Sequence, residues 1–435
     1  MSGPVKVQYG RLALAVPASQ AAPSDISTPK INYLPPTAGQ AQSAWNSSGA
    51  FLDFTIPKSV GVLNNVKLRL QVTNNGGTNE PVLAPPTPFW VQQVEVYIGG
   101  TQIEVIYPNE LFNEVVGFKT KEELDTDQAY LGATYESNSQ SGQSLAIPVS
   151  GSGFNVQQYY YLPIPNCLTT CHLYVAGVTE DVRFRVYFPP QLFPTPQITC
   201  TSCTLVIEED CCSNEEKIKY DEAHRDGIIY NTIVRQRQNQ TLTKSGTADN
   251  TIELTGLSGA CAALVSYAGP SVVPNFSSSS SDITRAGEAA GTYVQVPTNQ
   301  LLYQRFVIST SLELDDAMGA KRTEELRTDD LASMTWYSHV GTNYAQRFPT
   351  YLVPLSSAAR KAIEDGCNQG SMNLRGNDRL VVRGQPNTYS NGTTGPNPYS
   401  TAASEVWSFT VVNYCYQALV FKGRSLTNVI RKVNA

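Results

Sequence analysis

Charge is scarce in this sequence. Of 435 residues, 16% are Asp, Glu, Lys or Arg, where a soluble domain carries about a quarter. Charged side chains normally cover free surface. Their shortage implies that much of the surface is covered by another chain, or is loop rich in Ser, Thr, Asn and Gln. The formal net charge of −6 excludes a whole-chain electrostatic fit to nucleic acid. No run of 18 apolar residues occurs, so no hydrophobic helix long enough to cross a bilayer is expected. The first residues hold no charged segment followed by an apolar core. No secretory signal is therefore expected, and the nine cysteines are expected as reduced thiols. His172, His224 and His339 are the only histidines, and none sits in a recognisable nucleophile context. G-x-S-x-G, H-E-x-x-H and P-loop patterns are absent. The expectation is a protein with no catalytic residues, no cofactor and no small-molecule substrate.

Glycine (31), proline (27) and tyrosine (23) are plentiful instead, which favours strands and turns over long helices. The length exceeds one hydrophobic core and implies two domains. Residues 1–44 are rich in Pro, Ala, Ser and Gln and read as an extended arm, either without order or laid along a neighbour. Val66 to Val72 alternates apolar and polar residues, the signature of a half-buried strand. Trp90 to Ile98 is a second strand, and Gly99-Gly100 then makes a two-residue hairpin whose central residues need φ > 0. Asn109 to Leu124 is the best helical stretch of the first half. The segment 135–153 reads as an exposed loop. Glu208 to Asp226 is densely charged and marks a domain boundary near residue 215. Strands follow at Gly227–Arg237, Thr251–Leu257, Leu301–Leu314 and Val406–Phe421, with long loops at 266–291 and 385–403. The divisions are an arm (1–44), a first β unit (45–215), a second β unit (216–422) and a basic tail (423–435).

The two units echo each other. Tyr161-Leu162-Pro163-Ile164 resembles Tyr351-Leu352-Val353-Pro354-Leu355, and Asp181-Val182-Arg183 resembles Asp378-Arg379-Leu380, at an offset of about 190 residues, the size of one β domain. Many short strands separated by glycine and proline turns imply β-sandwiches, and long insertions fit jelly rolls. Strand order does not follow from the sequence.

Three patches carry a family resemblance. Tyr351 and Pro354, followed by Gly370-Ser371-Met372-Asn373 and Asp378, resemble a segment of the major capsid proteins of large eukaryotic DNA viruses, virophages and polinton-like viruses, distantly similar to adenovirus hexon. Ile98-Gly99-Gly100, continuing to Glu104, resembles a second segment, and Leu312 to Arg322 a third. Together they cover roughly a fifth of the chain and occur in the family's order. The connector 356–369 departs from the pattern, with charges where the family has prolines. The resemblance implies an all-β double jelly roll: two tandem eight-stranded antiparallel units with short helices in the connections and long crown loops. It also implies a homotrimeric, pseudo-hexagonal capsomer that tiles an icosahedral shell around a DNA genome. Expected partners are further capsomers, minor capsid and vertex proteins, and packaged DNA or an internal membrane. The expected location is the virion, assembled inside the host cell.

Other features have blander readings. Cys200 and Cys203 form a C-x-x-C near Cys167, Cys171, Cys211 and Cys212. In a strand, residues three apart point to opposite faces, so buried thiols are favoured over zinc. A disulfide within this group stays open. The acidic runs 208–226 and 313–330 lack calcium-loop spacing. Lys422, Arg424, Arg431 and Lys432 are candidate interior contacts to DNA or an anionic membrane, against the reading of a solubilising tail. Sequons at Asn46, Asn239, Asn275 and Asn391 carry no weight without a secretory route. A two-domain carbohydrate-binding β-sandwich remains an alternative, but no carboxylate pair stands out for it. An adhesin-type protein is another.

Overall fold

The computed structural model describes residues 28–39, 50–75, 80–82, 90–112, 114–115, 145–147, 158–188, 198–243, 250–270, 301–307, 350–357, 359–365, 370–374, 379–384 and 406–431. The first unit holds β1 (Thr28–Leu34), β2 (Ala38–Gly39), β3 (Phe51–Ile56), β4 (Val62–Asn74), β5 (Glu80–Val82), β6 (Gln93–Ile98), β7 (Thr101–Ile106), α1 (Pro108–Phe112), β8 (Leu145–Ile147), β9 (Gln158–Pro163), α2 (Cys167–Thr170), β10 (Val182–Tyr187) and β11 (Ile198–Cys211). Helix α3 (Asn214–Asp226) leads to the second unit. That unit holds β12 (Ile228–Thr243), β13 (Asn250–Glu253), β14 (Gly259–Pro270), β15 (Leu301–Val307), β16 (Thr350–Pro354), α4 (Ala359–Asp365), β17 (Met372–Leu374), β18 (Arg379–Gly384), β19 (Val406–Lys422) and β20 (Ser425–Arg431).

Strand order repeats. The first unit has sheets β1-β11-β4-β9 and β2-β3-β10-β6-β7; the second has β12-β19-β14-β16 and β13-β18-β15. In each, the opening strand pairs with the final long strand, which pairs with the long strand between. All these pairings are antiparallel. This is jelly-roll winding, twice. Alternation carries the inner faces: Val182, Phe184 and Val186 of β10 are buried, as are Leu68 and Leu70 of β4. They meet Val94, Val96 and Leu205 in one core.

The register aligns the two units residue by residue. Tyr33 pairs with Val206, Val206 with Lys67 and Lys67 with Pro163. Arg235 pairs with Tyr414, Tyr414 with Ala263 and Ala263 with Pro354. Both rows end on the prolines of the sequence echo, so Tyr33 and Arg235 hold equivalent places.

Several expectations change. The arm ends earlier than residue 44, because Thr28–Leu34 pairs with β11 along its whole length. Pro29 hides this strand in the sequence, and an edge strand tolerates it. The tail is a hairpin rather than a free end: Ser425–Arg431 pairs with β19 around Gly423 and Arg424, both with positive φ. At Gly99-Gly100 only Gly99 has positive φ, at 59°, so this hairpin needs glycine at one position. The expected helix 109–124 is helical where it is described, as α1 and as a π-helical pair at 114–115; residue 113 and residues 116–124 lie outside the described residues. Segment 135–153 contains β8, paired with β5, and β14 extends to Pro270. The charged boundary splits into the end of β11 and α3, whose capping box pairs Ser213 with Glu216. The loop 385–403 and the acidic run 313–330 lie outside the described residues.

Candidate functional site: the seam between the two rolls

Arg235 on β12 is the centre of the seam. Its alternating strand, Ile233-Val234-Arg235-Gln236-Arg237, turns the guanidinium toward the first roll. Nη1 donates to Glu104 Oε1 at 2.5 Å, Nε donates to Glu114 Oε1 at 2.5 Å, and Nη2 donates to Glu114 Oε2 and, at 3.0 Å, to the Pro165 carbonyl. Glu104 Oε2 accepts from the Cys167 backbone N–H at 2.8 Å, and the Tyr414 hydroxyl donates to Glu114 Oε1 at 2.8 Å. All three charged side chains are buried. Burial opposes the charge on Arg235, but Glu114 and Glu104 offset it and hold its pKa well above the ordinary value. One cation lies between two anions, and each oxygen of both anions accepts a hydrogen bond. That is the condition under which buried charge is tolerated.

Glu110 of α1 lies beside this cluster. Burial pushes its carboxyl up to about 7, against the opposing pull of the Tyr107 N–H, Arg235 and Arg237. Oε2 accepts from the Tyr107 N–H at 2.9 Å; Oε1 accepts no hydrogen bond and lies 4.0 Å from Arg237 Nη1. Arg237 in turn covers the Tyr107 ring, 4.2 Å from its centroid.

The base of the seam is apolar. Ile228, Tyr230, Leu419 and Phe421 of the second roll join the first roll's core beside Leu173 and Val175. His224 of α3 is sealed among Tyr174, Tyr220, Tyr230 and Phe421. Its Nδ1 lies 2.8 Å from the Tyr220 carbonyl, which can only accept, so the proton sits on Nδ1. Nε2 therefore accepts from the Tyr230 hydroxyl. Burial lowers the pKa of this histidine. The Thr232 hydroxyl donates to the Cys167 carbonyl at 2.5 Å, adding a polar tie.

The residues singled out in the sequence are dispersed. Ile98 is buried at the end of β6, and Gly99 and Gly100 turn the chain into β7. Tyr351 and Pro354 pair with Ser266 and Ala263. Gly370 precedes β17, its carbonyl accepting from the Tyr416 hydroxyl at 3.5 Å. Ser371 follows it, and Asn373 pairs with Ala260. These positions are turns and ladder places; Asp378 lies outside the described residues. Lys422 is exposed. Arg424 is turned back on the protein: its Nη2 is 3.3 Å from Asp221, and its carbonyl accepts from the Thr179 N–H and hydroxyl. Arg431 ends β20, and Lys432 lies outside the described residues.

Cys200 and Cys203 correct a geometric expectation. A bulge between Cys200 and Ser202 places both thiols on one face, opposite Val72 and Leu70. Both are buried, and burial raises their pKa. Among the described residues no group of three His, Cys, Asp or Glu could hold a metal. Asn239 lies on β12, its side-chain oxygen accepting from Arg237 and Thr410. The other three sequons lie outside the described residues.

No family model and no curated protein matches the chain. Solved structures do. PBCV-1 VP54, fitted into a reconstruction of the Sputnik virophage, matches at a TM-score of 0.62 and 11% identity, over 94% of this chain and 98% of that one. The Faustovirus major capsid protein matches at 0.57 and 9% identity, over 94% and 93%. A chain of the Sputnik virophage structure matches at 0.53 and 12%, over 100% and 94%. The fold is the double jelly roll of viral major capsid proteins. Within this double jelly roll, the seam holds the residues that sequence reasoning missed. Glu104, Glu110, Glu114 and Arg235 read individually as ordinary charged positions. The one available signal was two arginines alternating within an apolar strand of a charge-poor chain.

Proposed function

We propose that this protein is a major capsid protein. Three copies form a pseudo-hexagonal capsomer, and capsomers tile an icosahedral shell around DNA. The observation that carries this reading is the repetition of one strand order in two rolls fused by a buried seam. Three such chains present six similar towers, which suits sixfold packing under a threefold operator. A surface poor in charge fits large obligate interfaces. The chain's role in this reading is geometric, with no catalytic residue. Minor capsid and vertex proteins would join the shell. DNA or a membrane would meet its inner face, where Lys422 is better placed to serve than Arg424, which Asp221 already engages. Light scattering after gel filtration tests the reading. The expected mass is three times 47.4 kDa, about 142 kDa, persisting on dilution. A monomer at micromolar concentration would overturn it and favour the carbohydrate-binding alternative, for which a glycan array is the next assay.

A further inference from the structure

One fully buried histidine stands where four pieces of the chain meet. His224, 0% exposed, lies near the end of α3, the link between the rolls. Around its ring stand Tyr174 of the first roll, Tyr230 of β12 and Phe421 of β19, with centroids 5.8, 5.6 and 5.7 Å away. The backbone of the short turn Val175–Gly177 presses on the ring as well: a Cβ at Gly177 would sit 2.7 Å from Nδ1. The β19–β20 hairpin grips the same end of the helix. The Gly423 and Arg424 N–H groups donate to the Arg225 and His224 carbonyls at 3.1 and 3.0 Å, and the Arg424 carbonyl accepts from the Thr179 N–H at 2.8 Å. Arg424 also pairs with Asp221 at 3.3 Å. Helix, hairpin and first roll are tied together around one imidazole.

This enclosure fits the neutral ring. Nδ1–H donates to the Tyr220 carbonyl at 2.8 Å, and Nε2 accepts from the Tyr230 hydroxyl at 3.2 Å. A proton on Nε2 makes it a second donor. It then meets the Tyr230 oxygen, whose own hydrogen loses its acceptor at a side chain with no exposed surface. The ionisable groups set around the ring are Tyr220 and Asp221 of α3, Tyr174, Tyr230 and Arg424, with Cys171 and Cys212 behind Tyr230. Asp221 favours a charged ring, but it faces Arg424, which opposes one. Desolvation outweighs both and keeps the ring neutral.

We propose that His224 is an acid-released latch: neutral, it holds α3 and the β20 hairpin against the base of the first roll, and on taking up a proton it lets both go and loosens the junction between the rolls. Burial sets the direction. The folded chain takes up this proton less readily than the unfolded chain, whose histidine has the ordinary 6.5. The stability held by the neutral ring is complete above about 6.5 and is lost as pH falls toward the lowered folded value. Glu110 works in the opposite sense, losing its contribution as pH rises through about 7, so it does not produce a loss in acid. The window is the one in which histidine switches answer acidified compartments. The latch lies within one chain and does not rest on the capsomer reading.

The test is amide hydrogen exchange of the full chain at about pH 7.5 and about pH 5, corrected for the intrinsic pH dependence of exchange. His224→Gln is the non-titrating variant. His172→Gln is the control, a partly exposed position 3.1 Å from the Asn64 side-chain oxygen. In the wild type and the control, protection of α3 and β20 is expected to fall by about 10- to 30-fold in acid, the ceiling being set by the interval from about 6.5 to about 5. In His224→Gln the fall is expected to stay under about 3-fold. An equal fall in His224→Gln, no fall in the wild type, or loss of the response in the control overturns the latch. If His224→Gln does not fold, a pH series on the wild type decides. Protection of α3 and β20 that begins to fall near about pH 6.5 supports the latch. Protection that holds until below about pH 4.5, where carboxylates such as Asp221 take up protons, overturns it.

Discussion

Tyr33 and Arg235 occupy the same register position in two jelly rolls of one chain and meet opposite surroundings. Arg235 is enclosed by two carboxylates from the preceding roll, while more than half of Tyr33 faces outward. The strands beneath them pair alike and their rows end on matching prolines. Repetition of a fold therefore fixes where a side chain stands, and the neighbour decides what that side chain must be. Where the neighbour is built into the same chain, the position carries charge that only a complete set of partners can satisfy. Where, as at Tyr33, no described roll covers the position, it carries an aromatic ring that tolerates water and can still bury a large apolar area.

The most damaging way to break this comparison is to empty the covered position. Arg235→Ala leaves Glu104 and Glu114 buried without their cation. The expected loss is about 3–5 kcal/mol of unfolding free energy, read from urea denaturation. A loss below about 1 kcal/mol would mean that water reaches the seam, and the contrast with Tyr33 would collapse. A smaller effect sharpens the comparison through pH. Glu110 has a folded pKa of about 7 against an ordinary 4.5, so the native state holds this proton more tightly than the unfolded chain does. The stability linked to that proton is complete below about 4.5 and is lost as pH rises through about 7. Glu110→Gln removes the dependence, so the difference between variant and wild type should change by roughly 3 kcal/mol or less between pH 4.5 and 8, in the variant's favour at the upper end. A difference that stays flat across this window would place Glu110 in contact with solvent and away from the seam.

Much of the architecture was legible in the sequence. Alternation marked Val66–Val72 and Val94–Ile98 because one face of each strand meets the core and the other does not. The echo of Pro163 and Pro354 was real, and the ladders confirm it as a register. Several strands escaped notice, among them β5, β8 and β14, and two did so for clear local reasons: β1 carries Pro29, permitted only because it lies at an edge, and β20 follows a turn that places Arg424 at positive φ. The shared face of Cys200 and Cys203 was hidden by a bulge, which strict alternation cannot anticipate. The seam was invisible for a different reason. Arg235 lies 131 residues from Glu104 and 121 from Glu114, and each partner looks like a solvated charge until the fold brings them together.

The central claim is that two fused rolls form one unit built to be repeated around a threefold axis. The most direct test is electron microscopy of the purified protein, with class averages of single particles viewed end-on. The account predicts a hexagonal outline with threefold symmetry and six towers, alternating between first and second rolls. Isolated two-lobed particles at the same micromolar concentration would contradict it.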